Sequence, residues 1–273
     1  MSDLEEFYDA YTHIEEEFQA ALDLSLGARG PDMLYDLVEA LGLPGGATAL
    51  DIGCGRGRQA LVLAQRFGLA VAGIDPVAWH IEVAAAALAE AAVRSPELPG
   101  RVRFERGAGE ALAFPGESFD LVWCKDVLGH VADLEQAYRE FRRVLRPGGR
   151  AIVYQSCFAT ERLEPREAEL IWRRFDVVRD NMNPARTDAA VAAAGLEVED
   201  CIEVALEWGE HAQEDAGTGG RRLLHAARLL RHPEQYVERF GQWAYDIMLG
   251  DCLWHIYRMI GKLGERVYVL SRV

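Results

Sequence analysis

The sequence predicts a doubly wound α/β fold built on a mostly parallel, seven-stranded sheet, with helices ahead of the sheet and a helical lid inserted before the last strand. Two observations carry this expectation. Across residues 47–156, short apolar runs alternate with helical patterns, and parallel strands need crossover helices between them. Near the end of the chain, the alternating segment 265–272 follows a long helical stretch, so a final strand comes after an insertion.

Leu4, Phe7, Tyr8, Tyr11, Ile14, Phe18, Ala21 and Leu22 recur at three- and four-residue steps, which marks an amphipathic first helix ending near Gly27. A second helix is expected over residues 31–41. Pro44-Gly45-Gly46 breaks that pattern and delivers the chain into 47–52, a short apolar run suited to a buried parallel strand. Extended segments follow at 69–75, 101–106, 119–124 and 150–156, with helices at 79–94 and 133–145. Beyond Cys157 a helix is expected at 184–194 and strands at 196–206 and 265–272. Residues 219–262 carry a helical stripe of Tyr236, Phe240, Trp243, Ile247, Trp254 and Tyr257, which must cover something apolar. The expected organisation is an N-terminal helical cap at 1–42, a core at 43–209 and 263–273, and a lid at 210–262 that recognises substrate.

At 273 residues and 50% hydrophobic, the chain can bury a sizeable core. Its 44 acidic residues outnumber 29 Lys and Arg, and the net charge of −15 disfavours nucleic acid, whose binding rests on basic contacts. The run Arg221, Arg222, Arg228, Arg231 reads as a solvated helix face. Residues 1–18 are acidic rather than leader-like, and no window is long enough to cross a bilayer, so a soluble cytoplasmic protein without a membrane partner is expected, as monomer or homodimer. Cys54, Cys124, Cys157, Cys201 and Cys252 lack metal-type spacing and are expected as buried free thiols. The carboxylates are scattered, so no metal is expected.

The chemistry concentrates in Leu50-Asp51-Ile52-Gly53-Cys54-Gly55-Arg56-Gly57, which follows a strand and opens a helix. Its glycines let the backbone bend sharply and approach a ligand without a Cβ in the way. Asp75 ends the next strand, where a carboxylate can accept hydrogen bonds from both ribose hydroxyls of a nucleoside cofactor. A nicotinamide-binding turn shares this logic. Against it, the third glycine falls one position short of the dinucleotide spacing, and Asp51 puts negative charge where a pyrophosphate would sit. A negative site suits a ligand bearing a sulfonium and an amino group.

The segment Asp51–Gly57 resembles the first motif of class I S-adenosylmethionine-dependent methyltransferases. Further matches extend over about 110 residues: Phe119-Asp120-Leu121-Val122-Trp123, then Leu128-Gly129-His130-Val131, then Leu145-Arg146-Pro147-Gly148-Gly149. The resemblance implies a Rossmann-like methyltransferase fold, S-adenosylmethionine as cofactor and a small-molecule acceptor of natural-product type. It implies cofactor contacts from Asp51, Gly53, Cys54, Gly55, Gly57, Asp75, Pro76, Gly109, Glu110 and Cys124, with Tyr8 and Tyr11 closing over the cofactor. Relatives often bind the adenine amino group with an Asp where Ala108 stands here, so backbone groups and Glu110 take that role. Asp120 reads as structural.

Methyl transfer needs a nucleophile held in line with the sulfonium methyl, and a base only where the acceptor is a hydroxyl or protonated amine. His130 follows the fourth strand, at the rim where ligands bind in such sheets, and is the candidate base, with loop–helix hydrogen bonding as its structural alternative. Asp126 shares that loop as a second catalytic candidate. Lys125, Trp243 and Tyr257 are candidates for acceptor contacts. Transfer to O or N, transfer to an electron-rich ring carbon, and cofactor binding without methyl transfer all stay open.

Overall fold

The computed structural model describes residues 3–23 and 27–273. Helices α1 (Asp3–Asp23) and α2 (Met33–Ala40) precede β1 (Thr48–Ile52), α3 (Arg58–Phe67), β2 (Ala70–Asp75), α4 (Ala78–Ala92), β3 (Val102–Arg106) and β4 (Phe119–Lys125). Then come α5 (Leu134–Val144), β5 (Leu145–Ala159), α6 (Pro165–Phe175), α7 (Pro184–Ala194), β6 (Glu197–Glu203), four helices α8 (Ala205–Ala216), α9 (Thr218–Arg231), α10 (Pro233–Phe240) and α11 (Gln242–Met259), and β7 (Leu263–Ser271). The seven strands form one sheet in the order β3-β2-β1-β4-β5-β7-β6, with β7 antiparallel to both neighbours.

Side chains alternate across a strand, so each strand feeds two cores. Leu50, Ile52, Val122 and Cys124 face α5 and α7, with Tyr138 and Phe141. Ala49, Leu121, Trp123 and Tyr154 face α2, α3 and α8, with Trp208. Asp51 shares the parity of Ala49 and therefore points to the α3 side. At the opposite end of the strands, the Asp120 carboxylate accepts from the Thr48 amide at 2.7 Å and from Arg146 at 2.6 Å, tying β1, β4 and β5 together. That is a structural role.

The expected elements recur with ends shifted by a few residues, and four differences stand out. Helix α6 is not among the elements expected from the sequence, although its start carries a capping box in which Glu164 and Glu167 each bond the other's backbone. The aromatic stripe is not continuous, since Gly241 at φ 82° and ψ 157° separates α10 from α11. Trp243 is 79% exposed, and the inward face of α11 is instead Tyr245, Leu249 and Cys252, packed on Ala226 and Leu229 of α9. Of the five thiols, Cys201 on β6 is exposed rather than buried. The helical insertion also starts at Ala205, so residue 210 falls inside α8.

The linker between α1 and α2 is latched to α8. The Arg29 guanidinium donates to both Glu207 carboxylate oxygens at 2.6 and 2.8 Å, and Gly30 lies so close to His211 that a Cβ there would meet the imidazole at 2.3 Å. No helix among the described residues is long and apolar enough to cross a membrane.

Phe141 is fully buried, stands edge-on to Tyr138 at 5.4 Å, and supports the loop at Gly109 from beneath. Phe141→Ala should destabilise the protein by about 3–5 kcal/mol, as large-to-small changes in a packed core do; urea unfolding followed by circular dichroism measures this.

Candidate active site

The turn after β1 is held both by its neighbours and by a hydrogen bond of its own. The Cys54 amide donates to the Ile74 carbonyl at 2.9 Å, and the Gly57 amide donates to the Cys54 carbonyl at 2.9 Å. Gly57 adopts φ 81°, and a Cβ there would meet the Phe104 ring at 2.6 Å; at Gly53, φ 70°, it would meet Val127 at 2.2 Å. A Cβ on Gly55, in contrast, would meet nothing within 4 Å. The turn is packed on both flanks and open at its centre.

Two carboxylates bracket this opening. Asp75 accepts from the Gly55 amide at 3.0 Å through Oδ2, and from the Val77 amide at 2.9 Å through Oδ1, which also faces His80 Nδ1 at 3.0 Å. Oδ1 therefore has two protein partners and Oδ2 keeps one lone pair. Two ribose hydroxyls can be accepted only if His80 yields its place. His80 was not singled out from the sequence, although its position in the first turn after Asp75 brings its ring back onto the carboxylate.

Asp51 is 2% exposed, and its Oδ2 has no hydrogen-bond partner. Burial pushes its carboxyl up to about 7, with the Ala60 amide opposing the rise, the nearby Asp75 adding to it and Lys125 opposing it. A buried anion in that state is completed by a cationic ligand. Beside it, Tyr35, Arg58, Trp123, Lys125 and His211 line a cavity of about 580 Å³.

Other expected contacts divide. Pro76 follows Asp75 at the surface, and its carbonyl accepts from Arg106 at 3.2 Å. Glu110 is committed elsewhere, because its carboxylate accepts from the Asp133 amide at 2.7 Å and braces the start of α5. In the 107–109 loop, Gly109 packs on Ile52. The Cys124 side chain lies in the core beneath α5, and burial pushes its thiol well up, so only its backbone reaches the rim. The Cys54 side chain is also buried. Tyr8 and Tyr11 sit on α1 and are exposed.

Past β4 a second cavity of about 260 Å³ opens. Asp126, His130, Gln155, Ser156, Met182, Asp251 and Trp254 line it together with Gly129, Cys157, Phe175 and Val177. Asp126 adopts φ 62°, unusual outside glycine, and is held there by its amide on the Tyr154 carbonyl at 2.8 Å and by the Ser156 hydroxyl, which donates to Oδ1 at 2.5 Å. His130 Nδ1 faces the Asp176 carbonyl at 3.2 Å. A carbonyl only accepts, so Nδ1 carries the hydrogen and Nε2 of the neutral ring is an acceptor.

The structure thus brings Asp126 and His130 into one cavity and puts Lys125 in the neighbouring one. Trp243 and Tyr257 line neither: Trp243 is exposed, and Tyr257 faces Glu167 and Lys262. The lid residues at the second cavity are Asp251 and Trp254. Sequence inspection also missed Asn181, whose Nδ2 donates to the Leu128 and Val131 carbonyls at 2.9 and 2.8 Å and whose carbonyl accepts from Gln155 Nε2. No motif marks it. No group of three or more His, Cys, Asp or Glu among the described residues is placed to hold a metal ion.

Sheet order, an open glycine turn and two flanking carboxylates define a Rossmann-like domain with a nucleoside-type ligand site. Residues 50–153 match the family model described as a methyltransferase domain, and the architecture is the Rossmann-like fold of class I S-adenosylmethionine-dependent methyltransferases. Methyltransferase GfsG of Streptomyces halstedii is 37% identical over 128 residues, 47% of this chain and 44% of that protein. The 27-O-demethylrifamycin SV methyltransferase of Amycolatopsis mediterranei is 37% identical over 114 residues, 42% of this chain and 40% of that protein. The match spans less than half the length of these relatives. Among solved structures, a putative sarcosine dimethylglycine methyltransferase from Galdieria sulphuraria superposes with a TM-score of 0.67 at 16% identity, over 88% of this chain and 84% of that one.

The raised Asp51 value sets a pH test. Its folded-state pKa of about 7 lies above that of an unfolded Asp, so the folded state holds the extra proton and stability falls as pH climbs from about 4 to 7. Asp51→Asn removes that loss. Between pH 5 and pH 8 the cofactor-free variant should gain on wild type by a few kcal/mol, at ~1.4 kcal/mol per pKa unit. Paired urea titrations read the difference, and Glu265, likewise pushed up to about 7 by burial, cancels in the comparison.

Proposed function

We propose that this protein is an S-adenosylmethionine-dependent methyltransferase acting on a small-molecule acceptor. The single observation that carries the reading is the buried Asp51 oxygen without a partner, next to a glycine turn whose centre is open. The cofactor's ammonium would complete Asp51, its carboxylate would find Arg58 and Lys125 in the 580 Å³ cavity, and one ribose hydroxyl would take the free lone pair of Asp75. Tyr8 and Tyr11 of the helical cap at 1–42 would close over it. The bound cofactor supplies a methyl carbon made electrophilic by sulfur.

The 260 Å³ cavity at the ends of β4 and β5 is assigned to the acceptor, since ligands of doubly wound sheets sit outside the carboxyl ends of the strands. There Asp126 orients the acceptor and His130 Nε2 takes a proton from an attacking O–H or N–H group. The core at 43–209 and 263–273 holds the cofactor, and the inserted helices around 210–262 roof the acceptor. The net charge of −15 and a cavity of about 260 Å³ fit a compact metabolite rather than nucleic acid. The name of the Amycolatopsis relative, a demethylrifamycin methyltransferase, supports a natural-product acceptor.

Calorimetry with S-adenosylmethionine, its demethylated product and NAD tests the cofactor. Binding of the first two is expected, weakened at least tenfold by Asp75→Ala, whereas NAD binding with silence toward the others would overturn the reading. His130→Ala should lower the rate at saturating acceptor by about 10²–10⁴-fold, the usual contribution of a general base. An unchanged rate would remove His130 from proton transfer.

A further inference from the structure

The acceptor cavity differs from a general-purpose pocket in the direction of its hydrogen bonds. Gln155 is 1% exposed and lines it, and its Oε1 has no partner. The amide cannot be turned over to supply a donor instead, because Nε2 donates to the Asn181 carbonyl at 2.9 Å and a carbonyl never donates. Asp126 contributes a carboxylate, and His130 contributes Nε2 as an acceptor. Asp251 adds a second carboxylate, with Oδ2 on Arg222 at 2.8 Å and its other oxygen outside that pair.

Donors in the lining are fewer. The Ser156 hydroxyl donates to Asp126 and Gln155 Nε2 to the Asn181 carbonyl, which leaves the buried Trp254 indole N–H as a single side-chain N–H of the lining without a partner. No lysine or arginine lines the cavity. Phe175, Val177, Met182 and the Trp254 ring form its apolar walls. Four acceptors, two of them charged, face a space walled by hydrocarbon.

Resting on the methyltransferase reading above, we propose that the acceptor's reacting group is an amine on an apolar body, bound first as its ammonium ion. An ammonium offers up to three donors and a positive charge to this set of acceptors. An alcohol or phenol offers one donor and would leave buried acceptors unmatched, and a carboxylate would be repelled. Before transfer the ammonium gives one proton to His130 Nε2, which becomes imidazolium. The freed lone pair then forms the N–C bond as the S–C bond breaks; the sulfonium becomes a neutral thioether, and the positive charge ends on the methylated nitrogen. Asp126, beside His130 in the cavity, stabilises the charged imidazole and the product ammonium.

The test uses three probes of similar shape, 2-phenylethylamine, 2-phenylethanol and 3-phenylpropionate, titrated calorimetrically into the protein saturated with S-adenosylhomocysteine. The amine should bind at least tenfold more tightly than the alcohol, and the carboxylate should not bind. Asp126→Asn and Gln155→Met should each reduce amine affinity about tenfold or more while leaving the alcohol unchanged. With S-adenosylmethionine in place of the product, mass spectrometry should find the added methyl on nitrogen. Equal affinity for amine and alcohol, or no binding of the amine to the saturated protein, overturns the amine assignment and leaves the methyltransferase reading standing. Failure to bind S-adenosylhomocysteine overturns that reading and this inference with it.

Discussion

Much of the site depends on one unfavourable arrangement, a carboxylate buried at the end of β1 without a cation to match it. Water alone would solvate Asp51 better than its surroundings do, and the Ala60 amide offsets only part of the loss. The neighbouring Asp75 makes ionisation harder still. Such a charge persists only where the surrounding structure leaves it no alternative, and here β1, flanked by β2 and β4, leaves none. The cost in the empty protein becomes attraction once a positive group arrives, which is why a strand end this poorly solvated makes sense as a ligand site.

The loops around Asp51 are held in place from behind. Val127 fills the space beside Gly53, Phe104 that beside Gly57, and Glu110 ties the 107–112 loop to the first residue before α5. On the acceptor side Asn181 does the same work. It lies in the short turn at Arg179–Met182, spends both its amide hydrogens on the His130 loop, and accepts the Gln155 amide on its carbonyl. One buried residue thereby fixes the His130 loop through its side chain and the Gln155 amide through its backbone carbonyl.

The strands and the glycine turn were legible in the sequence because local rules govern them. A parallel strand buried on both faces reads as an apolar run, and a backbone at φ 70° or 81° selects glycine whatever the distant partners are. Asp51 and Asp75 follow from the same segment. His80, Asn181, Gln155 and Asp251 were not legible, because each acquires its role from a partner brought up by the fold. Glu110 shows the converse: its place in the motif suggests a ligand contact, but an amide 23 residues away takes its carboxylate. Trp243 fails for a similar reason, since Gly241 turns the helix at its N-terminal end and the repeat that pairs it with Tyr236 no longer shares a face.

Helix α11 joins the lid to the chemistry, because its two sides do different work. One side, Tyr245, Leu249 and Cys252, packs on α9, and the other brings Asp251 and Trp254 to the 260 Å³ cavity proposed for the acceptor. Its C-terminal end is anchored by Arg258, buried against Trp254 with its guanidinium 4.5 Å from the ring and 3.7 Å from Glu265 of β7. Removing Arg258 would leave the Glu265 carboxylate buried without a counter-charge among the described residues, which is costly for a group nothing else there neutralises. The linker over α8 is held differently, by the Arg29–Glu207 pair, with the arginine side chain 57% exposed. Exposed pairs contribute about 0–1 kcal/mol. Of the two attachments, the linker's ion pair is therefore the more solvated and α11's the more deeply buried.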